Sequence, residues 1–400
     1  MKNSIHIWPQ EPEKNVQSLT ISAIIEIPGE GEKTLWYKIP AQFQPVIPES
    51  CDHFVVGSLF LLMKKGLDVR VHGQVSPSLL RNLFEFQSVW CHKRADLVNV
   101  SIFADIEQED IMPPSGGLSI MAFSGGVDSC FTALRHSQST DFRFPRKVVA
   151  GLMIQGFDIP LEDNTGFELA SVRSRKILSD LKIELLTAST NYRDVIGDWD
   201  HSHGAAIASC LYLFRKKYSE GIIGQTFTYD NIGTATEGVN PLTDPLLSSK
   251  TFTIVPDGAA FTRADKILSI SRMPRMIENI RVCWEGQQRD QNCCNCEKCM
   301  RNILTFRALG LGLPSCFNRD ISLKQIKTLR MGDRIRRNIR YEALLPIAKA
   351  KGTEGKWTDV MKKRLRTERR LENSKIFRKY YRNKRRAIKI LSWLKNKSPF

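Results

Sequence analysis

Two short stretches of this chain concentrate residue types that do chemistry. The first is SGGVDS, Ser124 to Ser129, set between the apolar run LSIMAF and the amphipathic run CFTALRH. Gly125 and Gly126 lack Cβ atoms, so a loop there turns tightly and its amides can approach phosphate oxygens closely. A helix opened by Asp128 and Ser129 adds unsatisfied N–H groups and a partial positive charge of about half a unit. The hydroxyls of Ser124 and Ser129 complete a cradle suited to pyrophosphate. The competing reading is an ordinary glycine-containing strand-to-helix turn. Five specified residues coincide by chance at roughly 10⁻⁶ per position, which disfavours it.

The second stretch is CWEGQQRDQNCCNCEKC, which puts Cys283, Cys293, Cys296 and Cys299 in C-x9-C-x2-C-x2-C spacing with Cys294 as an extra thiol. Tetrahedral zinc takes four thiolates at about 2.3 Å, and x2 spacings let one tight turn present several of them. The neighbours RDQN and NCEK are too polar for a core. A redox pair of Cys296 with Cys299 is the alternative. The ten cysteines are expected to be thiols, because MKNSIHIWPQEPEKN has no secretory pattern. The longest apolar run, His53 to Met63, is too short to span a bilayer, and a cytoplasmic protein is expected.

SGGVDS resembles the SGGxDS motif of the PP-loop (N-type) ATP pyrophosphatases, and no GxxxxGK[ST] loop occurs. The cysteine spacing is similar to the zinc site of the 7-cyano-7-deazaguanine synthase branch of that family. The resemblance covers roughly residues 116 to 310. It departs at Cys294, where the branch usually carries glycine; either Cys293 or Cys294 could be the ligand, and Cys293 is expected. What the resemblance implies is ATP bound with Mg²⁺, attack on its α-phosphorus, and departure of pyrophosphate from residues 124–129. An adenylated substrate is left for ammonia, an amine or a sulfur donor. The implied ATP-binding set is Ala122, Phe123, Ser124, Gly125, Gly126, Val127, Asp128 and Ser129, with Met153 and Ile154 beside the adenine. The zinc would hold a domain edge and perform no chemistry.

The elements that must position these residues follow from pattern. Leu118 to Phe123, Val148 to Ile154, Glu184 to Ala188 and Gly221 to Ile223 are short apolar runs. Between them lie helical stretches at Asp128 to Ser137, Gly166 to Leu181 and Gly204 to Tyr218. This alternation predicts an α/β fold, a parallel sheet sandwiched by helices and HUP-like by the resemblance, with ligands at the strands' carboxyl ends. PPSGG at 113–117 reads as a linker. Before it, residues 1–112 form a small α+β domain: a hairpin of 18–27 and 34–39, a strand at 68–72, a helix at 76–91 and a strand at 97–103. The PP-loop domain with the cysteine knuckle occupies 116–315, and 316–400 is helical and basic.

Between the two motifs, polar residues in loops are further candidates. His203 is expected just before a helix, able to contact a phosphate or an acyl substrate. Asp244, in PLTDPLL, is a candidate for Mg²⁺ or an amine, against a plain Asp-Pro turn. Arg263 and Lys266, at i and i+3 on a predicted helix, share a face that can grip a triphosphate or a carboxylate. Asp128, Ser129, Arg263, Lys266, His203 and Asp244 make up the expected catalytic set.

The net charge of +17 is uneven. Residues 1–318 hold 32 basic against 35 acidic side chains, or -3, and 319–400 hold 27 against 7, or +20. The basic segment, with Tyr380, Tyr381 and Trp393, suits helical packing, a polyanion such as RNA, or an anionic membrane. The favoured acceptor is a small or peptide-borne carboxylate, ligated as an amide or nitrile. An RNA-modifying enzyme is the alternative. No Cys follows Met1 to serve as a glutaminase nucleophile, and no tRNA-binding module is recognisable. Some relatives in bacterial defence systems make a protein partner for the N-terminal domain an expectation too.

Overall fold

A computed structural model describes residues 3–42, 49–111, 117–137, 143–232, 237–332 and 334–373. The N-terminal part contributes β1 (Ile5–Pro9), β2 (Glu13–Lys14), β3 (Ser18–Ile27), β4 (Gly31–Pro40), α1 (Asp52–Lys65), β5 (Val69–Val75), α2 (Pro77–Lys93) and β6 (Ile102–Glu107). The expected hairpin is β3 with β4, antiparallel from Ser18 opposite Pro40 to Ile27 opposite Gly31. Of residues 97–103 only the last two are strand. Leu97 and Val100 are buried in an irregular segment pinned by Gln87, whose Oε1 accepts from the Val100 amide at 2.9 Å. Their apolar character reflects that burial, and pairing starts only at Ile102.

Five parallel strands follow: β7 (Leu118–Ala122), β8 (Lys147–Gln155), β9 (Glu184–Thr190), β10 (Glu220–Gly224) and β11 (Thr253–Asp257). They run in the order β11-β10-β7-β8-β9. The sequence pattern missed β11 because Pro256 interrupts it, which an edge strand tolerates. The chain winds from β7 to one side and returns to the other. The crevice at the carboxyl ends of β7 and β10 is therefore the topological switch point, where open parallel sheets bind ligands.

One face of these strands carries α3 (Val127–Ser137) and α4 (Asn164–Ser179), joined by α7 (Arg263–Ile270) and α8 (Pro274–Asn279) in one apolar cluster. The other face carries α6 (Trp199–Tyr212), preceded by the short α5 (Tyr192–Ile196), and α1 packs on α6. Every residue of α1 from Asp52 to Met63 is buried, which accounts for the all-apolar run that pointed to no single face.

The N-terminal strands continue the same sheet. β4 pairs antiparallel with β9 through Tyr37 and Thr190, giving one eleven-stranded sheet, β11-β10-β7-β8-β9-β4-β3-β1-β5-β6 with β2 on β3. Two buried polar links reinforce the join: Tyr37 donates to Ser209 at 3.1 Å, and Arg215 pairs with Asp52 at 2.7 Å.

After the cysteines come α9 (Glu297–Ala308), α10 (Leu323–Thr328), α11 (Arg334–Arg337), α12 (Leu344–Ala350) and α13 (Lys356–Asn373). They share an apolar cluster with the cysteines, built from side chains such as Ile303, Leu329, Tyr341, Trp357 and Met361. Helical packing thus holds for the part of the basic segment described. Tyr380, Tyr381 and Trp393 lie outside the described residues. No described helix is long and apolar enough to cross a membrane.

Candidate functional site

The loop between β7 and α3 begins at Phe123, whose amide donates to Leu152 O at 2.8 Å and keeps it level with the end of β8. Gly125 has φ +73°, a left-handed conformation that glycine adopts without a Cβ penalty. The turn is braced inside and out. Gly126 N lies 3.3 Å from Ser124 Oγ, and Ser129 donates to Gly126 O at 3.1 Å. From outside, the Arg281 amide donates to Gly125 O at 2.8 Å. Arg281's guanidinium also reaches Ser124 O at 3.4 Å and Cys283 O at 3.2 Å.

Asp128, in the first turn of α3, meets both expected cations of α7. Arg263 Nη2 is 2.8 Å from its Oδ2, and Lys266 Nζ is 3.0 Å from its Oδ1. Lys266 is buried and also donates to Gln225 O at the end of β10. A capping box fixes α7: Thr262 accepts from the Asp265 amide and Asp265 accepts from the Thr262 amide. Burial works to raise the Asp128 pKa. The charges and hydrogen bonds of Arg263 and Lys266 outweigh it and hold the carboxyl below its ordinary value. Burial lowers both cations in turn, against the pull of Asp128.

This loop opens into a cavity of about 450 Å³. Its walls include Ala122, Phe123, Met153 and Ile154 as well as Ser124, Gly126, Val127, Asp128 and Ser129. Gly125 contributes its turn, not a wall. His203 lines the cavity from within α6, one turn beyond its start, rather than just ahead of a helix as expected. In the polar run WDHSH, Trp199, Asp200 and His203 border the cavity, while His201 and Ser202 bond back to Asp198 and Gly197. His203 Nδ1 donates to Trp199 O at 3.1 Å, which leaves Nε2 of the neutral ring as an acceptor. Burial foremost depresses its pKa and favours that neutral form.

Asp244 is not brought to the cavity wall. It is fully buried at the start of a 3-10 turn, Asp244–Leu247, where Oδ2 accepts from Gln225 Nε2 at 2.8 Å and Oδ1 from the Asn240 amide at 3.0 Å. Burial pushes its pKa up to about 7. Its reach to the site is indirect, through Gln225, whose carbonyl oxygen receives Lys266. Gly204 permits this loop to close on α6: a Cβ there would stand 2.1 Å from Gly238 O.

Sequence reasoning missed five further cations at the cavity: Arg281, Lys298, Arg301, Arg336 and Arg340. Lys298 and Arg301 flank Cys299 on α9. Arg336 and Arg340, at i and i+4, arrive from the C-terminal segment. The i, i+4 spacing was a usable signal inside the basic run; nothing local marked the others as converging.

The Sγ atoms of Cys283, Cys293, Cys296 and Cys299 lie within 4.8 Å of one another. Backbone amides point at the sulfurs: Cys293 N to Cys283 Sγ and Cys296 N to Cys293 Sγ, both 3.3 Å, and Cys299 N to Cys296 Sγ, 3.4 Å. Hydrogen bonds from the Cys296 and Cys299 thiols hold the Cys283 thiol well below its ordinary pKa. Four close sulfurs, three of them receiving a backbone amide, suit a thiolate site for a metal such as zinc. Cys294 faces away, buried against Asn292 O and Asn318 Oδ1, at φ +56°. That left-handed backbone is what turns its sulfur out of the cluster and leaves Cys293 within it.

Comparisons with family models, with curated proteins and with solved structures gave no match to this chain.

Proposed function

We propose that this chain is an ATP pyrophosphatase of the PP-loop type that adenylates a carboxylate and passes the acyl group to nitrogen. The observation that carries the reading is the SGGVDS loop at the switch point of a parallel sheet, with Asp128 clamped by Arg263 and Lys266 beside a cavity. Adenine would lie against Ala122, Phe123, Met153 and Ile154. The outer phosphates would meet the amides of 124–129 at the amino end of α3.

A carboxylate oxygen of the acceptor forms a bond to the α-phosphorus, and the bond from that phosphorus to the α,β-bridging oxygen breaks, its electron pair leaving with pyrophosphate. Ammonia or an amine then bonds to the acyl carbon, loses a proton, and AMP departs with the former carboxylate oxygen. Arg263 and Lys266 are placed to neutralise charge on the leaving group. Mg²⁺ carried in with the nucleotide's phosphates would supply further charge neutralisation. Zinc at Cys283, Cys293, Cys296 and Cys299 would hold Arg281, Lys298 and Arg301 in place without entering the chemistry.

The test is a nucleotide product assay with the Asp128→Ala variant as control. AMP and pyrophosphate in equal amounts, dependent on Asp128, are expected. ADP with orthophosphate would end the reading, and product formation stimulated by tRNA but by no acid would favour an RNA-modifying enzyme instead.

A further inference from the structure

A second chamber of about 330 Å³ adjoins the cavity, and the two share Thr226, Phe227, Arg263, Arg301 and Arg340 as walls. Its lining includes Ala264 from α7 and Ile339, Ala343, Leu344 and Ile347 from the C-terminal segment, with polar Thr228, Asp230, Asn231 and Thr305 among them. The wall shared with the cavity carries three arginines, Arg263, Arg301 and Arg340. The three arginines of the shared wall belong to two ion-pair groups: Asp128 serves Arg263 and Lys266, while Glu297 lies 3.5 Å from Arg340 and 3.8 Å from Arg301. Asp230 also lines the chamber, so three carboxylates stand against four cations and one positive charge is in excess. Arg301 is only 7% exposed, and its Nε has no hydrogen-bond partner. Glu297 is further occupied by the Tyr341 hydroxyl, which donates to it at 2.5 Å.

Buried cations in excess of their counter-charges call for an anion. We infer that this chamber is the acceptor pocket, and that it selects a carboxylic acid with a compact apolar body whose carboxylate rests at Arg301 and Arg340. This deepens the adenylation proposal and rests on it. The wall that would hold the carboxylate carries Arg263, which also grips Asp128 of the phosphate loop, so an acid seated there faces the nucleotide cavity. The body of the acid would replace water against Phe227, Leu344 and Ile347, which a free dicarboxylate or a sugar acid would not exploit. The C-terminal segment thereby becomes part of the site, at least from Asn338 to Ile347.

The experiment uses the full-length protein and fluorine NMR of three probes: 4-fluorobenzoate, 4-fluorocinnamate and the neutral 4-fluorobenzyl alcohol. Both acids should broaden and shift on binding, with the alcohol at least ten-fold weaker. Arg340→Gln should bring the acids down to the level of the alcohol. Ala343→Trp, a change at an exposed position bordering the chamber, should abolish binding of all three by filling it. ATP uptake with magnesium is measured by calorimetry on the same samples. Acids and alcohol binding alike, or acid binding that survives Ala343→Trp, would overturn the inference. Acid selectivity without ATP uptake would remove the adenylation reading and leave an acid-binding chamber standing.

Discussion

Lys266 Nζ reaches Asp128 Oδ1 across 138 residues of chain and lies 3.0 Å from it, with Arg263 on the other carboxylate oxygen at 2.8 Å. The contact ties α7 to the first turn of α3 and fixes the phosphate loop relative to β10. Removing one member of a buried ion pair leaves the other uncompensated, at a cost of about 3–5 kcal/mol.

Asp128→Asn should therefore lower the melting temperature markedly and cut pyrophosphate release by at least 100-fold. Adding Lys266→Met should recover part of the melting temperature and none of the turnover, because the lone buried charge is gone but the clamp is not restored. Calorimetric melting and a pyrophosphate assay on both variants check this. A single variant that melts like the wild type would show that the pair carries no load.

The parts of this site that a sequence reader could find are those whose residues are contiguous or regularly spaced. SGGVDS is six neighbouring residues, and the cysteines follow a turn's spacing, so local geometry delivers both. Arg263 and Lys266 were legible as a shared helical face, though their partner was not. What local pattern could not carry was the long-range closure. The pairing of β4 with β9 depends on Tyr37 meeting Thr190, and Arg340 reaches the cavity only because Tyr341 and Leu344 bury themselves against α9. Asp244 read as a candidate ligand because an aspartate in a loop is ordinarily solvated; full burial gave it a packing role instead.

The cysteine centre makes a prediction about stoichiometry. Cys294 points away from the other sulfurs, so Cys294→Ser should retain one zinc per chain, while Cys283→Ser, Cys293→Ser, Cys296→Ser and Cys299→Ser should each lose most of it. Cobalt substitution gives an independent view. The wild type and Cys294→Ser should show thiolate-to-cobalt charge transfer and the visible bands of tetrahedral coordination, and the four ligand variants should show weakened or shifted bands. Loss of metal in Cys294→Ser alone would exchange the roles of Cys293 and Cys294.

Metal removal should also reach the nucleotide cavity. Arg281 stands two residues before Cys283 and braces Gly125, and Lys298 and Arg301 flank Cys299 on α9. Stripping the metal with a strong chelator should lower the melting temperature and weaken ATP binding by at least ten-fold, both reversed by returning zinc. Calorimetry before and after chelation gives the result. Unchanged melting together with unchanged ATP affinity would mean the four cysteines do not organise the cavity wall.

The buried Asp244 carboxyl gives a pH dependence with a defined sign. Its ordinary pKa is 3.8, and burial raises the folded-state value to about 7. Between those values the folded chain holds a proton that the unfolded chain has released. This group's contribution to stability therefore falls as pH rises from about 4 to 7, and is level above that. Asp244→Asn removes the titration. The variant keeps an oxygen for the Asn240 amide, and it can receive Gln225 only if that side chain turns over and gives up its bond to Ile223 O. Relative to the wild type, the variant should therefore gain melting temperature as pH rises from 4 to 7 and hold that gain to pH 8. Melting curves of both proteins at intervals from pH 4 to 8 test it, and a gap that is constant across the range would show that Asp244 is already ionised in the folded chain.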